Sequence, residues 1–318
     1  MSTYHPKTAR GLYWPAFLIA ALLIVLGVVV NPRFLSIFNL SNLVVQTAAL
    51  LIVAIGQTMV IIHGGLDLSV GSTVSLSTAI VATVTAATGS IFFAIVVAFG
   101  AGVLVALFNG YGVTKLSINP LMMTLATMSI VQGITLFVLP IPGGLLSKKF
   151  AGVFTGNIFG VPNALLICSL LVGLGSWILN QTRFGRELYA VGNNRENAFA
   201  CGIKTNRVTL TTFVLSSSAA VIAGLFLAAR MRSGDPLVGQ TFSLDSVTAA
   251  VLGGSVIGGG IGGIRGTIPG ALILVVIGNI LNFAGVPSFF QYVVRGLLLI
   301  FTVGLFGLIA KKKRLSNV

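Results

Sequence analysis

The chain has 318 residues, 56% of them hydrophobic and only 8% charged, with a mean hydropathy of +1.04. A soluble domain carries roughly 25% charged residues, so the composition excludes a soluble protein and points to an integral membrane protein. The net charge of +14 does not indicate nucleic acid, because the basic residues cluster at the ends of apolar segments, where they orient spans and meet anionic headgroups.

Each span needs about 20 apolar residues, and polar breaks with glycine or proline punctuation divide the chain into ten apolar segments. They run over 12–30, 43–62, 70–88, 91–113, 120–139, 161–180, 209–229, 246–259, 266–286 and 289–310. The first could be taken for a signal peptide. It is long, lacks a small-residue cleavage site and is followed by Asn31-Pro32-Arg33, so it reads as a retained span. The eighth is too short for a straight crossing and reads as broken or re-entrant, which lipid tolerates only where protein or a water-filled cavity covers the backbone. The 39 glycines favour closely packed helices. The fold class is therefore all-α and polytopic, with about ten transmembrane helices in a single domain over 1–318.

Lysine and arginine set the orientation. With the N-terminus in the cytoplasm, Lys7, Arg10, Lys115, Arg183, Arg186, Arg195, Lys204, Arg207, Arg265 and Lys311–Arg314 lie inside, and an even span count returns the C-terminus there. Arg33, Lys148, Lys149, Arg230 and Arg232 lie outside, and Arg295 falls within the last span. The inside majority obeys the positive-inside rule. Two sets of five spans, 12–139 and 161–310, would have opposite orientations. Leu66-Asp67 opens the third span from inside and Leu244-Asp245 the eighth from outside, while Pro120 and Pro287 open the fifth and tenth. This pattern fits an inverted five-plus-five repeat.

Chemistry concentrates in a few places. Asp67 is the only acidic residue before Glu187, and a lone carboxylate between membrane-grade segments marks a functional site by default. Three readings stand. It can couple an ion or proton together with His63, one turn earlier. It can anchor a helix start, with Ser69 capping the helix near Val70. It can lie near a polar substrate path. Gly64, Gly65, Asp67, Ser69, Ser72 and Asp245 are accordingly the gate or pathway candidates. The hydroxyl-rich run Ser69–Thr78 serves either interhelical hydrogen bonding or a wetted, uncharged pathway wall suited to a neutral polyol. No catalytic or metal site is expected: two histidines, five acidic residues and no paired ligand spacing leave nothing that assembles one. Cys168 falls in a span and Cys201 in a charged loop, which argues against a disulfide.

The stretch 182–208 is the longest strongly polar segment and cytoplasmic by the charge count. It reads as a short helix, a Gly-Asn-Asn turn and a second short helix from Arg195 to Cys201, stopped by Gly202. Phe199 on its surface would serve as a docking knob for a partner protein. The glycine-rich run Gly253–Thr267 resembles a phosphate loop in composition only. A P-loop needs Lys followed by Ser or Thr after the glycines, and the chain contains no Gly-Lys pair. It reads as a tight linker, and no ATPase is visible.

The run Gly64-Gly65-Leu66-Asp67-Leu68-Ser69-Val70-Gly71-Ser72 resembles the fingerprint of inner-membrane permeases of ribose/xylose/arabinose-type ABC importers. So do Thr182-Arg183-Phe184-Gly185-Arg186 with Tyr189-Ala190-Val191-Gly192-Asn193, then Gly202-Ile203, Leu252-Gly253-Gly254-Ser255, and Phe289–Gly296. The match runs in order along nearly the whole chain. The resemblance implies a cobalamin-importer-like permease of the bacterial cytoplasmic membrane, paired with a second copy or a paralogue. It also implies a cytoplasmic ABC ATPase that carries the ATP and magnesium, and a periplasmic sugar-binding protein. Within it, Gly185, Arg186, Glu187, Gly192, Asn193, Glu196, Ala200 and Gly202 look like the loop that couples to the ATPase. Asn197 departs from the family's Glu-Ala-Ala pattern there, and His63 from the small residue usual before the glycine pair. On this reading Gly64–Ser72 is a hinge and helix start near the cytoplasmic gate. An ion-coupled secondary sugar transporter, an amino-acid or nucleoside permease of the same superfamily, and a membrane scaffold are the alternatives.

Overall fold

The computed structural model describes residues 14–315, with side-chain surroundings as far as Gly304. Lys7 and Arg10, and the side chains of Lys311–Arg314, which entered the orientation count, lie outside what is described. Helices α1 (Trp14–Val30), α2 (Ile37–His63), α3 (Val70–Thr88), α4 (Ile91–Thr114) and α5 (Pro120–Val138) form the first half. Helices α6 (Lys148–Thr155), α7 (Asn163–Gln181), α8 (Arg183–Asn193) and α9 (Arg195–Ala200) precede the long α10 (Thr205–Met231). The chain closes with α11 (Phe242–Leu252), α12 (Ile264–Phe283) and α13 (Ser288–Leu315). Among the described residues, seven helices are long and apolar enough to cross a membrane: α2, α3, α4, α5, α7, α10 and α12. Helices α1, α11 and the stretch Ser288–Gly304 are apolar but shorter. The protein is thus an all-α polytopic membrane protein.

Helix α10 is the central post and packs against α2, α3 and α4. Its Ala220, Ala223 and Phe226 join Val53 and Ala54 of α2 and Val74 of α3 in the main core. Small residues make this closeness geometrically feasible. A Cβ on Gly224 would press on the Val74 carbonyl and Ser77. Helix α11 packs on α2 and α12, α1 lies along α12, and α13 rests on α11 and α12. Many of the large side chains on α1, α4, α5 and α13 point outward, as expected of helices facing lipid or another apolar partner rather than water.

The polar stretch between α5 and α7 carries no predicted element, yet it folds. Ser147 caps α6 by accepting from the Phe150 N–H at 3.2 Å. Phe150 packs edge-on against Phe154, which in turn meets Phe226 of α10 at 85°. A hairpin, Asn157–Ile158 with Val161–Pro162, follows.

The eighth apolar segment, expected over 246–259, is only in part a helix. Helix α11 occupies Phe242–Leu252, and the rest is an irregular loop to Gly263. Gly254, Gly258, Gly259, Gly260 and Gly262 all have positive φ there, a region glycine enters without the Cβ penalty that bars other residues. The same absence of side chains lets Gly253 sit directly on the backbone of Gly266 in α12.

This packing separates two glycines by experiment. Gly253→Ala places a methyl group into the Gly266 backbone and should cost about 1–3 kcal/mol. Gly100→Ala, in α4 with open space around it, should stabilise by roughly 0.5–1 kcal/mol. Melting temperatures of the two purified variants in detergent should therefore move in opposite directions.

Candidate functional site

The first candidate region begins where α2 stops. Gly64 adopts the left-handed conformation at φ 100°, with Gly64 N–H donating to Ile61 O and Gly65 N–H to Val60 O, both at 3.0 Å. This is a Schellman stop. The chain then doubles back along α2, so that Asp67 lies beside Gln57 rather than beyond the helix end. With its amide turned to satisfy both groups, Gln57 donates to Asp67 O at 3.0 Å and accepts from Asp67 N at 3.3 Å.

Asp67 itself is 1% exposed. Its Oδ1 accepts from the Ser69 N–H at 3.1 Å and the Ser69 hydroxyl at 2.6 Å, and its Oδ2 from the Ser216 hydroxyl of α10 at 3.0 Å. The Asn109 amide of α4 donates to Ser69 Oγ at 2.9 Å, and the Thr127 hydroxyl of α5 donates to Asn109 Oδ1 at 2.6 Å. One hydrogen-bonded network therefore ties the 64–69 turn to α2, α4, α5 and α10. The expected cap moves as a result. Ser69 makes no side-chain cap to α3, because its hydroxyl is committed to Asp67, and the carboxylate takes the backbone N–H instead. The expected pairing of Asp67 with His63 does not form either. His63 Nε2 lies 2.8 Å from the Thr209 hydroxyl of α10, as a satisfied interfacial histidine would.

The hydroxyls of α3 are buried and bonded. Ser72, Thr73 and Ser77 donate to carbonyls of their own helix at 2.7–3.0 Å. Ser75 and Thr78 also hold the run of turns before α11: Gly239 N–H donates to Ser75 Oγ at 2.9 Å, and Thr78 Oγ1 to Asp235 O at 2.8 Å. That segment brings the start of α11 to the start of α3. Ser243 Oγ donates to Leu68 O at 2.7 Å, and Gly71 is pressed against Ser243 and the Gly239 carbonyl. Asp245, in the first turn of α11, pairs with Arg295 of α13 at 2.5 Å.

The second region is 182–208. Helix α8 runs through the predicted Gly-Asn-Asn turn as far as Asn193, and the break falls at Asn194, whose side chain accepts from Asn197 N–H at 2.8 Å and caps α9. Gly202, at φ 81°, follows α9. Arg186, Asn193, Glu196, Ala200 and Gly202 are exposed, and so is Phe199, at 71%. Glu187 pairs with Arg183 at 2.7 Å on the surface, a pair of the kind that adds little stability. Gly185 and Gly192 are different: both are buried, and they permit contact rather than offering a surface. Gly185 abuts the Ile178 and Leu179 carbonyls at the end of α7, and Gly192 abuts Ile62 O of α2 and the N–H of Gly260.

Sequence reading separates these two regions, but the fold joins them. Gly260 N–H donates to Ile62 O at 2.8 Å, Gly259 lies on the Gly192 backbone, and the Tyr189 hydroxyl donates to Gly262 O at 2.9 Å. Burial pushes the Tyr189 phenol up to about 12, so it stays protonated and able to donate. The glycine loop thus wedges α8 against α2 and joins α11 to α12. Gln57, Asn109, Thr127 and Ser216 were not singled out from sequence, and Tyr189 entered only as part of a motif. A lone Gln or Asn in an apolar helix was the available signal, since such side chains seek buried partners in lipid.

With that geometry, the comparisons define the class. The chain belongs to the family of branched-chain amino acid transport system permease components, whose pattern matches residues 39–303. Within it, the chain is 36% identical to the ribose import permease protein of Bacillus subtilis, over 90% of each chain. It is 34% identical to the L-arabinose transport system permease protein of Escherichia coli, over 92% of this chain and 90% of that one. It is 33% identical to the D-allose transport system permease protein of the same organism, over 94% and 92%. No solved structure matches.

The Asp67 network predicts a sharp difference between two substitutions. Asp67→Ala strands several buried donors, each costing about 1–3 kcal/mol, and should abolish a folded permease in detergent-solubilised membranes. Asp67→Asn keeps an acceptor for Ser69, and the Ser216 hydroxyl can turn to accept. It should remain folded and transport within about threefold of wild type, since a factor of three is under 1 kcal/mol. Loss of uptake in a folded Asp67→Asn protein would instead give the carboxylate a direct part in transport.

Proposed function

We propose that this chain is the membrane-spanning permease subunit of an ABC importer for a monosaccharide, a pentose or related sugar, delivered by a periplasmic binding protein. The observation that carries this is the match, over about nine-tenths of both chains, to permeases named for ribose, L-arabinose and D-allose. ATP and magnesium belong to a separate cytoplasmic ATPase. The permease works in the bacterial cytoplasmic membrane, paired with a second copy or a close paralogue, and both termini face the cytoplasm. Ten helices, counting α1, α11 and α13 with the seven long ones, would make an inverted five-plus-five arrangement of the cobalamin-importer type. The buried turn before α3 and the segment before α11 support that arrangement, because each delivers a helix start to the same crossing.

The ATPase docks on α8 and α9. Phe199 supplies an exposed apolar knob, and Arg186, Arg195, Lys204 and Arg207 surround it with positive charge, which suits an acidic rim on the partner. Motion of α8 then reaches the bundle by two routes that share the Gly192 contact. One enters α2 at Ile62, next to the Gly64–Asp67 turn. The other enters the glycine loop through Gly259, Gly260 and the Tyr189–Gly262 bond, and so moves α11. Alternating access is a change at the α3–α11 crossing driven from this end.

Three variants test the coupling surface in a complex reconstituted with its ATPase and binding protein. Phe199→Asp and Arg186→Glu should lower both uptake and binding-protein-stimulated ATP hydrolysis by about tenfold or more, the loss expected for an interface anchor worth about 2 kcal/mol. Tyr189→Phe should leave docking intact yet lower the sugar transported per ATP. Normal stimulation and uptake in Phe199→Asp, with the complex assembled, would remove α8–α9 from the coupling role.

A further inference from the structure

Helix α7 is long enough to cross the membrane and ends at Gln181, α10 begins its own crossing at Thr205, and α8 lies between those ends, packed on α2, α7 and α10. Between the start of α8 and the first two turns of α10 is a cavity of about 440 Å³, within the roughly 300–1,000 Å³ of sites that take small organic groups. Arg183 and Glu187 line it from α8, and Lys204 and Arg207 from the start of α10. Three cations against one carboxylate leave the lining with two positive charges in excess.

The one carboxylate is already engaged, because Arg183 Nε donates to Glu187 Oε1 at 2.7 Å. That bond uses one of the five N–H groups of a guanidinium. Lys204 and Arg207 are exposed, and among the described residues their side chains have no hydrogen-bond or ion-pair partner. The lining changes character with depth. Phe184 and Val208 form an apolar wall, and Thr211 closes it higher on α10, about 9 Å along the helix from Thr205 at 1.5 Å per residue. A soluble acidic protein would meet only the basic end of such a groove. A lipid meets both ends, its phosphate at the cations and the start of its chains along the apolar wall. Basic pockets between spans at the cytoplasmic surface lodge anionic headgroups in this way. Phe199, the knob assigned above to the ATPase, does not line the cavity.

We infer that the groove between α8 and the start of α10 holds the phosphodiester headgroup of an anionic phospholipid. Arg183, Lys204 and Arg207 bind the phosphate, while Phe184 and Val208 face the glycerol and the first methylenes. Lys204 and Arg207 stand where this groove meets the docking surface, so a bound lipid neutralises cations beside α9 and fills the gap between α8 and α10. The inference depends neither on the sugar carried nor on the role of Phe199.

Native mass spectrometry of the full chain in a neutral detergent tests this, with short-chain phosphatidylglycerol as the probe and short-chain phosphatidylcholine as the reference. Wild type should bind phosphatidylglycerol the more tightly. Lys204→Gln with Arg207→Gln should weaken that binding about thirtyfold, since each basic residue beside an anionic headgroup contributes about fivefold. Lys115→Gln with Arg265→Gln removes the same charge from the same end of the bundle, outside the groove, and should stay within about twofold of wild type. Thr211→Trp, with an unchanged melting temperature in the absence of lipid, keeps every charge but fills the upper groove and should also weaken binding. Equal losses in the two double variants would overturn the proposal, because surface charge in general would then attract the lipid. So would displacement of the lipid by inorganic phosphate at the same concentration, which would make the groove a free-anion site. Loss of the lipid when the ATPase assembles would overturn it too, by giving the groove to that partner.

Discussion

A carboxylate taken out of water must find its hydration replaced, and the bundle is arranged around the replacement that Asp67 finds. Three hydrogen bonds from Ser69 and Ser216 hold it, and the Ser69 hydroxyl is fixed in turn by Asn109, which accepts from Thr127. A buried network of this kind is stabilising only when complete. Its members come from the turn, α4, α5 and α10, so those elements cannot shift independently without breaking it. The turn is therefore a rigid part of the bundle, and the Gly64 stop that precedes it is where the backbone reverses.

The other end of the fold uses a different kind of contact. Around Gly192, Gly259, Gly260 and Gly253 the chain meets itself backbone to backbone, with no side chains between. Such surfaces are close but carry few directional bonds, chiefly Gly260 to Ile62 and Tyr189 to Gly262. The polar network fixes α4, α5 and α10 around Asp67, while the glycine contacts leave α11 attached to α8 through a loop that glycine alone can follow.

Much of this was readable in the sequence, and the failures have physical causes. The ten apolar segments all meet helices because hydrophobic runs of span length have few other fates in lipid. The eighth segment was legible as broken because it is too short for a straight crossing. The cap at Ser69 was misread because local rules give serine the N-cap, whereas a fully buried carboxylate two residues earlier outcompetes the backbone for the serine hydroxyl. Helix α6 was missed because its eight residues fall below span length, and its stability comes from Phe150 and Phe154 packing on Phe226. The contact between Gly192 and the glycine loop joins positions about 70 residues apart through backbone alone, and no side-chain pattern records such a contact.

Asp245 shows how far one residue type can mean different things in one chain. It resembles Asp67 in sequence, following a leucine at a helix start, but its solution to burial is an arginine rather than serines. Serine hydroxyls from the turn and from α10 hold Asp67 inside the bundle. An arginine on α13, which rests on α11 and α12, leaves its pair partly exposed. The two acidic residues thus meet burial differently: Asp67 is enclosed by hydroxyls within the bundle, and Asp245 is paired with an arginine on a helix at its edge.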